Sequence, residues 1–303
     1  MKKIVLISLI AVIAVSCRIE KRERKGPLNI VTTTGIIEDA VQNIVGDSAE
    51  VSSLMGPGTD PHLYNPTPGD IKLLDEADVI VSNGLHLEGK MAEMLRKYRD
   101  QKPVLMVSDG IPEHLLRKSA DFRDSYDPHI WFNPIIWSQG LDYISKELQK
   151  LDSNSVAYYQ KNYERYAKEI EGIDSWIITE LAQIHDSTKV LITSHDAFSY
   201  FGLRYGLEVK GIQGISTLSE VGLKDVADMV DFVIKRNIKS IFVETSTSQK
   251  TAQSIVDGTK DKGYVLLLDG PLYSDALGEP DGDAGTYLGM VKANVTLIVK
   301  GLK

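Results

Sequence analysis

Between residues 152 and 185, apolar side chains recur at alternating spacings of three and four: Val156, Tyr159, Tyr163, Tyr166, Ile170, Ile173, Ile177, Leu181 and Ile184. This is the period of one helix face. No proline interrupts the stretch, and Glu164 with Lys168 and Arg165 with Glu169 set opposite charges one turn apart. Asp152 or Ser153 is the predicted cap, and His185 stands where a cation suits the helix dipole. Gly172 alone weakens the pattern, by roughly 1 kcal/mol against alanine. A break there into two helices is the alternative. A single helix would be on the order of 50 Å long, longer than a small lobe is wide. The continuous stripe favours one helix joining two halves.

On either side the pattern changes to short apolar runs separated by helical stretches. In the first half, residues 28–32, 49–55, 78–82 and 103–107 read as strands, and residues 36–45, 70–77 and 90–98 as helices. In the second half, strands are predicted at 189–193, 207–212, 238–243 and 264–268, and helices at 197–205, 223–236 and 285–302. Strands alternating with helices imply parallel sheets covered on both faces. The predicted fold is therefore α/β: two lobes with parallel sheets flanked by helices, joined by one long rigid α-helix. Sheets of this kind bind ligands in the loops at the carboxyl ends of their strands.

The first residues follow a different logic. Lys2 and Lys3 precede an apolar run at residues 4–15, too short for a comfortable membrane span. It ends at Cys17, the only cysteine of the 303 residues, so no disulfide framework within the chain is available. Residues 1–16 are read as a lipoprotein signal peptide and Cys17 as the lipidation site, with Ala14 standing where a leucine is usual. Residues 18–25 carry a net +3, and the chain as a whole −8; setting aside these residues and the two lysines of the signal leaves −13 for residues 26–303. The basic segment fits a tether lying against an anionic bilayer. The acidic body argues against nucleic acid and favours a cationic ligand. The expected division is signal peptide 1–16, lipid-anchored tether 17–26, N-terminal α/β lobe 27–151, linking helix 152–185 and C-terminal α/β lobe 186–303. A composition of 43% hydrophobic and 25% charged residues supplies ample core.

Candidate chemistry lies in two loops of matching pattern. One reads Asp60-Pro61-His62-Leu63-Tyr64-Asn65-Pro66, the other Asp127-Pro128-His129-Ile130-Trp131-Phe132-Asn133-Pro134. Proline fixes the backbone just before each histidine, which reduces the entropy lost when the imidazole is positioned. The neighbouring Asp60 and Asp127 can hold the second ring nitrogen or the loop, as partners of ligating histidines do. Pro66 and Pro134 each lead towards a helix. In the second half His195 directly follows a predicted strand, and Glu244 ends another. Asp269, Asp275, Asp281 and Asp283 follow or end the last strand, and sequence logic does not separate them. Three imidazoles and one aspartate suit Zn²⁺, and the carboxylate makes Mn²⁺ or Fe²⁺ tenable. Ca²⁺ and Mg²⁺ want oxygen shells instead. The other histidines have simpler readings: His185 caps a helix end, His86 opens a helix and His114 lies in a polar surface segment.

These motifs, in this order, resemble the zinc/manganese class of solute-binding lipoproteins that serve ABC importers, in particular its TroA-type members. The resemblance is carried by GTDPHLYNPTPGDI around His62, DPHIWFNP around His129, ITSHDAFSYF around His195 and LYSDALG around Asp275. VKGIQGISTLSE and GTYLGMVKANV extend it over essentially the whole chain after the signal. It implies one metal held between two lobes by His62, His129, His195 and Asp275, with Glu244 nearby in the cleft. It also implies an extracytoplasmic, lipid-anchored monomer that delivers its metal to an ABC permease and its ATPase. Many zinc-dedicated relatives carry a histidine-rich acidic loop between the first and second ligands, whereas residues 111–126 hold only His114. Many manganese-dedicated relatives carry glutamate where this chain has His195. The choice between zinc and manganese is thus open.

Two other functions were weighed. A secreted zinc hydrolase would keep a coordination position for water, whereas four protein ligands close the tetrahedron. No His-Glu-x-x-His pattern is present, and Glu244 would be the one obvious general base. Residues 258–263 do not form a phosphate loop. A surface adhesin is compatible with a lipoprotein but has no motif in its favour.

Overall fold

The computed structural model describes residues 26–119 and 125–303; the expected signal peptide, Cys17 and nearly all of the tether lie outside the described residues. The first half runs β1 (Leu28–Thr34), α1 (Gly35–Val45), β2 (Ala49–Met55), α2 (Pro68–Glu76), β3 (Val79–Ser82), α3 (Ala92–Arg99), β4 (Val104–Met106) and α4 (Pro134–Leu151). Helix α5 (Val156–Leu181) follows. The second half runs β5 (Val190–His195), α6 (Ser199–Tyr205), β6 (Glu208–Gln213), α7 (Leu223–Arg236), β7 (Ser240–Glu244), α8 (Lys250–Asp261), β8 (Leu267–Leu272) and α9 (Tyr287–Leu302). Two four-stranded sheets result, ordered β2-β1-β3-β4 and β6-β5-β7-β8, and every pairing is parallel. The halves thus repeat one strand order without visible sequence identity.

Helix α5 is continuous through Gly172, where an added Cβ would meet open space. Its 26 residues span roughly 39 Å. The predicted stripe faces inward at Tyr159, Tyr166, Ile170, Ile173, Ile177 and Leu181, while Val156 is exposed. The ends differ from expectation. Ser155 occupies the cap position without a side-chain bond, whereas Asp152 closes α4 and accepts from the Tyr159 hydroxyl at 3.0 Å. Asp152 thus ends α4 and ties it to α5. His185 lies beyond the helix and precedes a short turn at Asp186–Thr188. Arg165 pairs with Glu169 at 2.7 Å, but Glu164 accepts from Gln160 instead.

One hydrophobic core runs through both halves. It joins the inner faces of the two sheets (Ile30, Val79 and Val81; Leu191, Phe242 and Leu272) to α1, α4, α5, α6 and α9. Separate clusters cover the outer faces, under α2 and α3 in one half and α7 and α8 in the other. Polar ties reinforce the shared core. Asp174 of α5 receives two bonds from Arg204, at 2.9 and 2.6 Å, and one from the Tyr205 hydroxyl. Asp39 of α1 accepts from Tyr166 on α5 and from the backbone of Tyr287 at the start of α9. A wide hinge motion would have to open this common core.

Four elements differ from the sequence reading. The last strand begins at Leu267 rather than 264, because pairing with β7 starts at Leu267 and runs on past Pro271 to Leu272. Strand β8 is an edge strand, where a proline is tolerated. Helix α2 begins at Pro68 under a capping box of Thr67 and Asp70, so Pro66 stays in the loop. Helix α8 has no counterpart in the sequence reading: its Gln, Ser, Thr and Lys residues mask a stripe of Ala252, Ile255 and Thr259. Helix α4 was anticipated only at its start. There Pro134 takes the first turn and the Asn133 side chain caps the backbone of Ile135 and Ile136.

Candidate metal centre

Each of four segments at the carboxyl edge of the sheets contributes one side chain. His62 comes from the loop after β2, and His129 from the segment between β4 and α4. His195 is the last residue of β5, and Asp275 follows β8. Their ligand atoms all lie within 4.8 Å of one another, and all four residues are buried. His62 Nε2 is 3.4 Å from His129 Nε2, which is 3.2 Å from His195 Nε2. Asp275 Oδ1 is 3.5 Å from His129 Nε2, and Asp275 Oδ2 is 3.3 Å from His195 Nε2. A tetrahedron with metal–ligand bonds of about 2.0–2.1 Å has edges of about 3.3 Å. The separations of His129 from His62, His195 and Asp275, and of His195 from Asp275, are close to such an edge.

The electrostatics of the cluster ask for a cation. Both carboxylate oxygens of Asp275 are buried without a hydrogen-bond partner. Leaving such a group unsatisfied is costly. Burial raises the Asp275 carboxyl, but the imidazoles, His195 foremost, outweigh it and hold the group well below the usual carboxylate range. Burial pushes the His62 imidazole down to about 3. At His195 burial also acts downward, yet the carboxylates of Glu244 and Asp275 prevail and hold the imidazole well above its ordinary value. Without a cation, therefore, the two carboxylates favour a proton on His195.

Two imidazoles are fixed by carboxylates on their far nitrogens. Asp127 Oδ1 accepts from the His129 backbone N–H at 3.0 Å and meets Nδ1 at 2.7 Å. Glu244 does the same for His195: Oε1 accepts from the backbone at 2.9 Å, and Oε2 lies 2.5 Å from Nδ1. A proton held on Nδ1 leaves the Nε2 lone pair for a metal. Asp60 behaves differently, since its Oδ1 accepts only from the His62 backbone, at 2.9 Å.

Further residues support these loops and were not singled out from sequence. Asn83, after β3, donates to the carbonyl of Pro128 at 2.9 Å, and its own N–H is held by buried Glu88. Arg117 reaches Asp127 at 3.3 Å and Asp196 at 3.6 Å, bridging the halves. Trp131 donates to the Ser274 carbonyl, and Ser274 donates to Glu244 at 2.7 Å. Asn294 of α9 clasps the backbone of Tyr273 through both ends of its amide. Only Asn83 carried a signal, being polar at a strand's carboxyl end.

The remaining candidates separate cleanly. Asp269 lies within β8, and Asp281 and Asp283 are exposed. His86 does not open a helix: it is exposed in a turn at φ 65°. His114 is exposed, and exposed His185 bonds locally to Ser187 rather than ending α5. Among the described residues, only the four named above form a group able to hold a metal.

Comparison with known proteins agrees with this architecture. The family model described as zinc-uptake complex component A, periplasmic, matches residues 30–301. The manganese-binding lipoprotein MntA of Bacillus subtilis (strain 168) is 43% identical over 276 residues, 91% of this chain and 90% of its own. The zinc-binding protein TroA of Treponema pallidum (strain Nichols) is 39% identical over 275 residues, 90% of this chain and 88% of its own. A solved structure of the periplasmic zinc-binding protein TroA from Treponema pallidum superposes with a TM-score of 0.87 at 38% identity, covering 92% of this chain and 99% of that one.

Proposed function

The chain belongs to the zinc-uptake complex component A family, and from that premise we propose that it captures zinc or manganese outside the cytoplasm and delivers it to an ABC importer. Relatives named for binding manganese and zinc at 43% and 39% identity support this reading. The observation that carries it is the buried Asp275 carboxylate, which has no hydrogen-bond partner on either oxygen and faces Nε2 of His129 and His195 at 3.5 and 3.3 Å, with His62 completing the group. In this reading His62, His129, His195 and Asp275 are the ligands, and the metal is cargo. Asp127 and Glu244 fix two of the imidazoles, and Asp60 sets the backbone of the third.

Four protein ligands close a tetrahedron and leave no position for an attacking water. That ligand set favours binding over hydrolysis. The proposed partners are a permease and its ATPase. The protein would act as a monomer divided at residues 27–151, 152–185 and 186–303, and held to the membrane by a lipid on Cys17. Elemental analysis of protein purified without added metal, followed by competition titration, tests the cargo. Tight binding of zinc or manganese is expected, and His195→Glu should move relative preference towards manganese, because a carboxylate replaces a nitrogen donor. An unchanged ratio of affinities would remove His195 from the ligand set. Cys17→Ser should release the protein from membranes with metal binding intact; detergent partitioning that shows it still membrane-bound would refute the anchor.

A further inference from the structure

The carboxylate of Asp60 is shared between two tasks. Oδ1 accepts from the backbone of His62, while Oδ2 accepts from the Thr217 hydroxyl at 2.6 Å. Thr217 lies between β6 and α7, in the opposite half of the molecule. This bond therefore crosses the cleft beside the metal ligands. The same loop touches the second half again at Gly58, where a Cβ would come within 3.7 Å of the Thr245 carbonyl.

His62 depends on this crossing more than its partners depend on theirs. The other two imidazoles are each gripped at Nδ1 and at the backbone by one buried carboxylate. Those carboxylates, Asp127 and Glu244, are buried together with the segments that carry their histidines. The His62 loop lies at the surface instead, with Gly56, Pro57, Gly58, Leu63 and Asn65 exposed. An ion enclosed by four buried side chains leaves only when one of them moves. The segment with the fewest anchors is the one that moves first.

We propose that Thr217, through Asp60, is a positioning residue that latches the His62 loop across the cleft and sets how long the metal stays bound. The latch rests on the metal-binding reading above. A hydrogen bond to a carboxylate that must break before release slows departure and leaves entry, which occurs with the loop open, nearly unaffected. Loss of such a supporting bond costs about 10- to 100-fold in metal affinity.

The test compares Thr217→Val and Thr217→Ser with the parent, each loaded with Zn²⁺ and, separately, with Mn²⁺. Dissociation is followed in stopped flow after adding excess chelator, and association is measured independently. Thr217→Val should dissociate about tenfold faster or more, with association within about twofold of the parent. Thr217→Ser keeps the hydroxyl and should restore the parent rate. Parent-like release from Thr217→Val overturns the latch, as does equally fast release from Thr217→Ser, which would assign the effect to the lost methyl group. If the parent takes up neither ion, the binding reading falls together with the latch; a metal-binding parent with unaltered variants removes the latch alone.

Discussion

The two Asp-Pro-His loops begin with the same three residues and are supported in different ways. In the second, Asp127 turns one oxygen back onto its own histidine, at the backbone and at Nδ1, and gives the other to Arg117. Tyr200 and Asn83 hold the carbonyls of Asp127 and Pro128, and every residue from Asp127 to Phe132 is buried. In the first, Asp60 secures only the backbone of His62 and extends its other oxygen across the cleft. A repeated motif thus fixes the local turn, and the surroundings decide whether the imidazole is clamped or hinged. In the proposed carrier, clamped imidazoles would give affinity and a movable one release.

Ligand deletion makes the largest expected difference and tests whether the loops are equals as donors. His62→Ala and His129→Ala should each abolish most of the metal-induced stabilisation, which for a folded-state ligand is roughly 4 kcal/mol at a thousandfold excess over Kd. Thermal denaturation with and without metal reads this, with exposed His114→Ala as the unaffected control. Retention of the full shift in either loop variant would remove that histidine from the site.

A smaller effect separates the supports. Asp127→Asn should lower affinity about 10- to 100-fold. It should also reduce the melting temperature of the metal-free protein, because buried Asp127 balances Arg117. Asp60→Asn should leave the metal-free melting temperature nearly unchanged, since its loop is at the surface. Equal losses in the metal-free state would contradict the asymmetry.

The subtlest prediction concerns protons. Burial holds His62 at about 3, so it binds no proton near neutrality, whereas His195 is held well above its ordinary value. A metal must displace the His195 proton, so affinity should rise with pH up to the folded-state pKa of His195 and fall as pH drops below it. About one proton should be released per ion near pH 7, measurable by calorimetry in buffers of different ionisation enthalpy. The metal-free fold should show the opposite trend above about pH 6.5, where His195 governs it, whereas below that value His62, depressed to about 3, makes stability fall as pH drops. A group whose folded pKa is raised contributes stability that is complete below its unfolded value of about 6.5. That stability is lost as pH rises through the folded value. Glu244→Gln removes one of the two carboxylates and should flatten both profiles. Absence of proton release would show that His195 is neutral before metal arrives.

Much of this was legible in the chain. The 3.6-residue stripe of α5 and the alternation of strand and helix follow from local patterning, because each side chain's burial depends on the period of its own element. The Asp-Pro-His frames and the strand-end position of His195 are equally local. Motif resemblance singled out Asp275, which sequence logic left level with Asp269, Asp281 and Asp283. The structure separates them by register: pairing with β7 keeps Asp269 in β8 and brings Asp275 to the imidazoles.

What the sequence alone determined was the set of elements and the donor chemistry, since both are written in residue type and spacing. What the tertiary structure alone decided was which partners those residues meet. Asp152 looked like a helix cap and instead joins α4 to α5. Asp60 and Asp127 looked equivalent, and only packing gave one an arginine and the other a threonine from the far half. Thr217 lies 157 positions from Asp60, and hydrogen bonds of that reach depend on how two sheets settle about a common core. Periodicity sets which face of a helix or strand is buried, but it holds no record of what that face will touch.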